Sequence, residues 1–230
     1  MKSNSAPTLV VFCKRPKLGQ GKQRLAATLG AAKAFQIAVS LLDCTLEDAE
    51  QWPGPVVISI ASENDKKWAE SLLARDFSVL IQPEGNLGVR LNTIDRQLRE
   101  QGHSELVFIG TDAPILNQDI YQSVIKTLSK KNIVLSRADD GGVTIMSNSV
   151  PWPDIENLGW STETLADDLA HACQDSGLSL SYVAATYDID VEADLYRLAL
   201  ALGKDSRESR RQLIQQINNI SSTPRQTLSA

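Results

Sequence analysis

An α/β architecture, a mostly parallel sheet with helices on both faces, is what this sequence predicts, and two observations carry it. Short β-rich apolar runs recur along the 230 residues with helical patterns between them, and such alternation marks parallel strands joined by crossover helices. Several runs are continuously apolar rather than alternating, as strands covered on both faces are.

Taken in order, the strand signals are TLVVFC (8–13), VVISIA (56–61), VLIQ (79–82), ELVFIG (105–110), NIVLS (132–136), VTIMS (143–147) and LSYVAATYDI (180–189). Between them, Phe35, Ala38, Val39, Leu42 and Leu46 form one apolar stripe at helical spacing and predict a helix over 31–49. Leu91, Ile94 and Leu98 predict another over 88–101. Further helices fit 64–75, 118–129, 161–176 and 191–202, with a last, polar helix at 206–219. The runs 132–136 and 143–147 flank DDGG, which predicts a local departure from the alternation, most simply a hairpin. No linker or repeat divides the chain, so residues 1–220 are expected to form a single domain and 221–230, rich in Ser and Thr, a mobile tail.

Composition bounds the function. Hydrophobic residues make up 42% of the chain, enough for a sizeable core. The net charge of -5 gives no global attraction for nucleic acid or an anionic membrane. The sign is uneven, however: seven Lys or Arg precede the first acidic residue, Asp43, leaving +7 on residues 1–42 and -12 on the rest. A locally basic segment in an acidic chain suggests a specific anion site. Cys13, Cys44 and Cys173 are few, odd in number and far apart, which predicts neither a disulfide frame nor a zinc knuckle and fits a cytoplasmic protein. No run reaches membrane-spanning length and no signal-peptide core is present. His103 and His171, the only histidines, read as surface or core residues.

Ligands of such sheets sit beyond the carboxyl ends of the strands, which directs attention to the loops after residues 13, 83, 110 and 189. The first, FCKRPKLGQGKQRLA, holds five basic residues and no acid. Gly19 and Gly21 permit positive φ and close backbone approach; Lys22 and Arg24 add charge beside a helix start, where free N–H groups favour an anion. The loop is neither a Walker A sequence nor G-x-G-x-x-G, and it also reads as a solvated basic turn. In TDAPIL, Asp112 directly follows an apolar strand. A carboxylate there suits a hard divalent cation that takes its other oxygens from substrate phosphates, or else tethers a turn before Pro114. In QPEGNLGVRL, Gln82 offers the donor and acceptor that a nucleobase edge requires, while Gly85 and Gly88 would let a flat ring lie on backbone; an ordinary turn into the next helix is the alternative. Asp188 and Asp190 form a second acidic cluster, in which Asp190 is also a good helix cap. Asp139 and Asp140 precede two glycines, in a plain hairpin turn or beside an acceptor substrate.

Together these loops resemble the bacterial glycosyltransferase-like family of the nucleotide-diphospho-sugar transferase superfamily, over residues 8 to 200. Its opening motif P-x-x-G-x-x-K-T-R-L is matched by PKLGQGKQRL, its Q-x-x-G-D-L-G-x-R by QPEGNLGVR and its G-x-D-x-P by GTDAP. Its D-G-G turn is matched by residues 140–142, its W-S-T element by 160–162 and its closing D-x-D-T-x-x-D-L by DIDVEADL. Gln23, Asn86 and Val191 depart from the pattern, standing where it has Thr, Asp and Thr.

The resemblance implies a Rossmann-like GT-A three-layer sandwich and a transferase using a nucleotide or nucleotide-sugar donor and a small-molecule acceptor. Lys22 and Arg24 would hold the diphosphate, Gln82 would face the base, and Asp112 and Asp190 would ligate Mg2+ or Mn2+. Fixed cations and a metal at the leaving phosphate would stabilise the transition state, with the acceptor as nucleophile and Asp140 as the group that takes its proton. Glycosyl transfer is the expected chemistry. Nucleotidyl transfer to a phosphorylated small molecule, or nucleotide binding without turnover, are the alternatives.

Overall fold

A computed structural model describes residues 6–222. Its strands are β1 (Thr8–Cys13), β2 (Val56–Ile60), β3 (Ser78–Ile81), β4 (Leu106–Ile109), β5 (Ile133–Arg137), β6 (Val143–Asn148) and β7 (Leu180–Tyr182). They form one sheet in the order β3-β2-β1-β4-β6-β5-β7. β1 pairs in parallel with both β2 and β4, β2 with β3, and β5 with β7. Among the described residues, β6 alone runs antiparallel, against β4 and β5, so the expected departure at the DDGG hairpin is what the sheet contains.

The helices are α1 (Gln23–Leu29), α2 (Ala31–Glu50), α3 (Lys66–Ala69), α4 (Leu87–Glu100), α5 (Gln118–Leu128), α6 (Leu165–Asp175), α7 (Glu192–Ala201) and α8 (Glu208–Ser222). Strand periodicity sorts them into layers. Leu9, Val11 and Cys13 of β1 face a core built with α2 and α5, through Leu42, Tyr121 and Val124. Val10 faces the opposite core, completed by Leu91, Ile94 and Leu98 of α4 and by Leu169 and Cys173 of α6. A third cluster joins α1, α2, α7 and α8 through Leu25, Ile37, Leu41, Leu195, Leu213 and Ile217. Truncating a fully buried strand residue such as Ile58 to Ala would cost about 2–5 kcal/mol. Among the described residues, no helix is long and apolar enough to cross a membrane.

Three expected elements are shorter than their patterns. The helix expected over 64–75 is a 3-10 turn at Glu63–Asp65 followed by the four-residue α3. The Ser71 hydroxyl donates to Trp68 O, and Arg75 reaches back to the carbonyls of Ala49 and Gly54, drawing the chain out of helix. The helix expected over 161–176 starts only at Leu165, because Ser161 takes a left-handed φ of 72°. The run 180–189 is a strand for three residues; the Ser136 hydroxyl then takes the Ala184 carbonyl, and the ladder resumes as a single bridge between Ala138 and Thr186. α8 includes 221 and 222, the first two positions of the expected tail; the remaining eight positions lie outside the described residues.

The sheet reverses direction of growth at β1, whose neighbours are β2 on one side and β4 on the other. The crevice beyond the carboxyl ends of β1 and β4 is thus the topological switch point where such sheets hold ligands. The antiparallel β6 starts at this same edge, with Ile145 opposite Ile109, which carries the DDGG turn there as well.

Candidate active site

Lys22 is the organising side chain. It precedes α1 in a left-handed conformation, φ 47°, which turns its side chain in toward the ends of β1 and β4. Its ammonium donates to the Ile189 carbonyl at 2.6 Å and lies 3.0 Å from Asp112 Oδ2 and 3.4 Å from Asp190 Oδ1. The Lys22 side chain is 9% exposed, against 46% for Asp112 and 40% for Asp190, so a nearly buried cation is capped by two carboxylates that still face solvent. Arg24, on the first turn of α1, pairs with the other oxygen of Asp190 at 3.2 Å.

Backbone holds the two acidic loops together. Ile189 N donates to Asp112 O at 2.9 Å. The Asp194 carboxylate accepts from Asp190 N at 2.9 Å and Val191 N at 2.8 Å, fixing the turn into α7. Val191 is the N-cap here and has no side-chain acceptor to return to the helix, the physical consequence of its departure from Thr.

Beside this cluster opens a cavity of about 880 Å3, lined by Arg24, the DDGG turn, Trp160 to Glu163, Asp188 and Asp190. Its floor is tightly built: a Cβ on Gly141, φ 86°, would come within 1.8 Å of Glu163 O, so only glycine lets the turn lie against that segment. Asp139 is held by Arg197, which also stacks 3.8 Å from the Tyr187 ring centroid. Asp140 also lines the cavity, its Oδ1 accepting from Gly142 N at 3.0 Å. Burial first, then the charges of Asp190 and Asp140, push the Asp188 carboxyl up to about 6, against a partial downward pull from Lys22. A smaller chamber of about 260 Å3 shares Leu87, Val143, Leu165 and Asp188 with this cavity and runs inward past Asp112.

The other expected site residues lie away from both spaces. Gly19 and Gly21 adopt φ of 76° and 72° in the basic loop, where a Cβ would meet nothing within 4 Å, so their role there is conformational. In the same loop Arg15 and Lys17 pair with the buried Asp65. Gln82 is buried, donates to Ser59 O at 2.7 Å and accepts from Arg90 at 3.3 Å, which commits both ends of its amide to protein partners. Gly85, φ 121°, accepts from Arg90 Nε through its carbonyl. Gly88 packs so closely against the 155–160 segment that a Cβ would lie 2.4 Å from Ile155 O. Asn86 caps α4 by accepting from Val89 N at 3.0 Å, and its amide donates to Glu156 O at 2.8 Å, a bond that an ionised Asp could not make.

One supporting network escaped the sequence reading. Arg210 on α8 is fully buried; it donates to Asp48 at 2.6 Å, contacts Glu47 at 3.2 Å and donates to Pro114 O at 3.2 Å. Arg207 donates to Asp48 at 2.9 Å and to Leu116 O at 2.8 Å, and the Tyr121 hydroxyl donates to Asp48 at 2.9 Å. The loop that carries Asp112 is thereby clamped from behind. A signal existed: Arg210, Leu213 and Ile217 fall at i, i+3 and i+7, which places Arg210 on the buried stripe of a helix that reads as polar overall.

Asp112 and Asp190 are the carboxylates placed to share one cation, since a single ammonium already contacts both. Among the described residues, no group of three or more His, Cys, Asp or Glu could hold a metal unaided. Any ion here would complete its coordination from phosphate and water, the habit of Mg2+ and Mn2+.

Comparison with solved structures confirms the expected Rossmann-like α/β sandwich. A candidate nucleotide-diphospho-sugar transferase from Desulfovibrio desulfuricans G20 superposes with a TM-score of 0.84 at 19% identity, over 94% of this chain and 96% of that one. A cytidylyltransferase from Leptospira borgpetersenii serovar Hardjo-bovis (strain JB197) gives 0.55 at 14% identity, over 99% and 100%. Rv0371c from Mycobacterium tuberculosis H37Rv gives 0.53 at 17% identity, over 85% and 98%. At these identities the likeness is one of fold. None of the curated proteins matches the chain in sequence. Residues 45–162, half of the chain and the part that carries Gln82, Asp112 and Asp140, match the family described as uncharacterized protein conserved in bacteria, DUF2064, and the chain belongs to that family.

Proposed function

We propose that this protein is a transferase that takes a nucleotide-sugar donor, holds its diphosphate at Lys22 and Arg24, and moves the glycosyl group to a small-molecule acceptor. The observation that carries the reading is the meeting of Lys22, Asp112 and Asp190 at the mouth of a carboxylate-lined cavity. Lys22 and Arg24 supply fixed positive charge where charge would grow on the leaving phosphate, and cations placed there stabilise the transition state more than the ground state. Asp112 and Asp190 would hold Mg2+ or Mn2+, which would neutralise the same phosphate oxygens. Asp140, on the cavity wall, would receive the acceptor's proton. The neighbour from Desulfovibrio, described as a candidate nucleotide-diphospho-sugar transferase, lends the same donor class to this reading.

The lining favours glycosyl over nucleotidyl transfer. Asp139, Asp140, Glu163, Asp188 and Asp190 line the large cavity with Arg24, Asp139 being paired with Arg197 and Asp190 with Lys22 and Arg24. Carboxylates accept hydrogen bonds from sugar hydroxyls, and the Trp160 indole offers an apolar face to sugar C–H groups. A phosphorylated acceptor would meet more carboxylates than cations in this lining.

A thermal-shift panel of nucleoside diphosphates and nucleotide sugars, with and without Mn2+, tests the donor. A ligand at 100 times its Kd adds about 2.7 kcal/mol, or roughly 5–10 °C for a chain of this size. Asp112→Ala is expected to abolish the Mn2+-dependent part of the shift and Asp139→Ala to keep it. No shift with any nucleotide would reject the donor reading, and pyrophosphate release from a nucleoside triphosphate would replace glycosyl by nucleotidyl transfer.

A further inference from the structure

The geometry points to the 260 Å3 chamber as the subsite for an apolar portion of the acceptor, an aromatic ring or branched alkyl group whose hydroxyl emerges beside Asp188 into the large cavity that Asp140 lines. Calling its occupant the acceptor rests on the transferase reading above; the chemistry of the subsite does not.

The walls are Phe12 of β1, Leu91 of α4, Phe108 of β4, Val143 and Met146 of β6 and Leu165 of α6. Phe12 and Phe108 meet edge to face, centroids 5.8 Å apart, which gives the chamber a fixed aromatic side. Leu91, Phe108 and Met146 are 2%, 3% and 5% exposed, so the chamber's inner walls belong to the core between α4 and the sheet, and it opens outward past Leu87.

Its polar inventory decides what it can hold. Three lining side chains carry polar atoms: Asp112, Thr144 and Asp188. Asp112 is paired with Lys22, and the Thr144 hydroxyl is hydrogen-bonded to Thr186. Asp188 lines both spaces and so stands where the chamber meets the large cavity. A nucleobase or a sugar buried here would lose water from several donors and acceptors and recover few partners, a cost of about 1–3 kcal/mol for each group left unpaired. An apolar group loses nothing and gains its burial. An apolar protein cavity of about 150 Å3 holds benzene, so this volume admits a group of roughly ten carbons. The acceptor of the proposed transfer is therefore an alcohol with a compact apolar body, seated in the core with its hydroxyl turned toward the carboxylates and the donor.

The test uses the full chain and 4-fluorobenzyl alcohol, followed by 19F NMR, with nucleoside diphosphate and Mn2+ affinity measured separately by calorimetry. Wild-type protein is expected to bind the alcohol saturably. Val143→Phe, which fills the chamber from β6, is expected to weaken it by about tenfold or more. Leu87→Ala, at the 42% exposed rim where folding is not at stake, is expected to weaken it by about threefold. Absence of saturable binding to wild type, binding unchanged in both variants, or competition by nucleoside monophosphates would overturn the proposal, the last by showing that the chamber holds a base. Alcohol binding that both variants weaken, in a protein that binds no nucleotide, would sustain the subsite and overturn the donor reading alone.

Discussion

Replacing Lys22 by Met should strengthen divalent-metal binding to the free protein and weaken it once nucleotide is present. The ammonium sits 3.0 Å from Asp112 and 3.4 Å from Asp190, so a metal entering between those carboxylates must displace a cation already there. At an effective dielectric of about 20, each contact would be worth roughly 5 kcal/mol. Both carboxylates are more than a third exposed, however, and solvent-screened pairs retain about 1 kcal/mol each. Removing both contacts therefore returns about 2 kcal/mol to the metal, a 10- to 30-fold tighter Kd for Mn2+ alone. The left-handed φ of 47° strains Met no more than Lys, so the backbone contributes little to the difference. With a nucleoside diphosphate bound, Lys22 would instead contact phosphate, and its loss should cost about 1.5–3 kcal/mol of nucleotide affinity. Electron paramagnetic resonance of free Mn2+, titrated with and without nucleotide, reads both arms. Unchanged or weaker Mn2+ binding to the free variant would refute the competition between the ammonium and the metal.

Val191→Thr should stabilise the fold by about 0.5–1 kcal/mol, because a hydroxyl at this cap can accept from the start of α7 while Asp194 already completes the reciprocal bond; a rise of roughly 1–4 °C in Tm checks it. Asn86→Asp should keep the cap on α4 but lose the bond to Glu156 O, costing about 1 kcal/mol by urea denaturation. Asp48→Asn should lower stability by about 3–5 kcal/mol in the same assay, since it leaves the fully buried Arg210 without its closest counter-charge. The three thiols should stay silent toward a disulfide reagent at pH 8 and all react after denaturation: burial pushes Cys13 and Cys44 up to about 12 and Cys173 up to about 11, so the reactive thiolate is scarce in the folded chain.

The central sheet was legible because its strands are continuous apolar runs, and the DDGG turn identified the one antiparallel excursion. Helix ends were less so. Ser161 breaks its helix through a left-handed backbone, and Arg75 ends another by binding carbonyls more than twenty positions away, neither of which a local pattern records. Within the site, the convergence of Lys22, Asp112 and Asp190 followed from placing each on a loop at the same sheet edge. The partners of Gln82 did not, because Arg90 returns to it only when α4 folds back over the strand end. The Arg210 clamp was hidden by composition: a mostly polar helix carried one charged residue on its apolar stripe. The apolar chamber joins α4, α6 and three strands, and no single stretch of sequence contains it.

A crystal soaked with a nucleoside diphosphate and Mn2+, recorded at the manganese absorption edge, bears most directly on the donor site. The account predicts one anomalous peak touching both Asp112 and Asp190, with the diphosphate joining it to Lys22 and Arg24. A diphosphate bound elsewhere, or manganese that leaves the Lys22–Asp112 pair in place beside it, would contradict it.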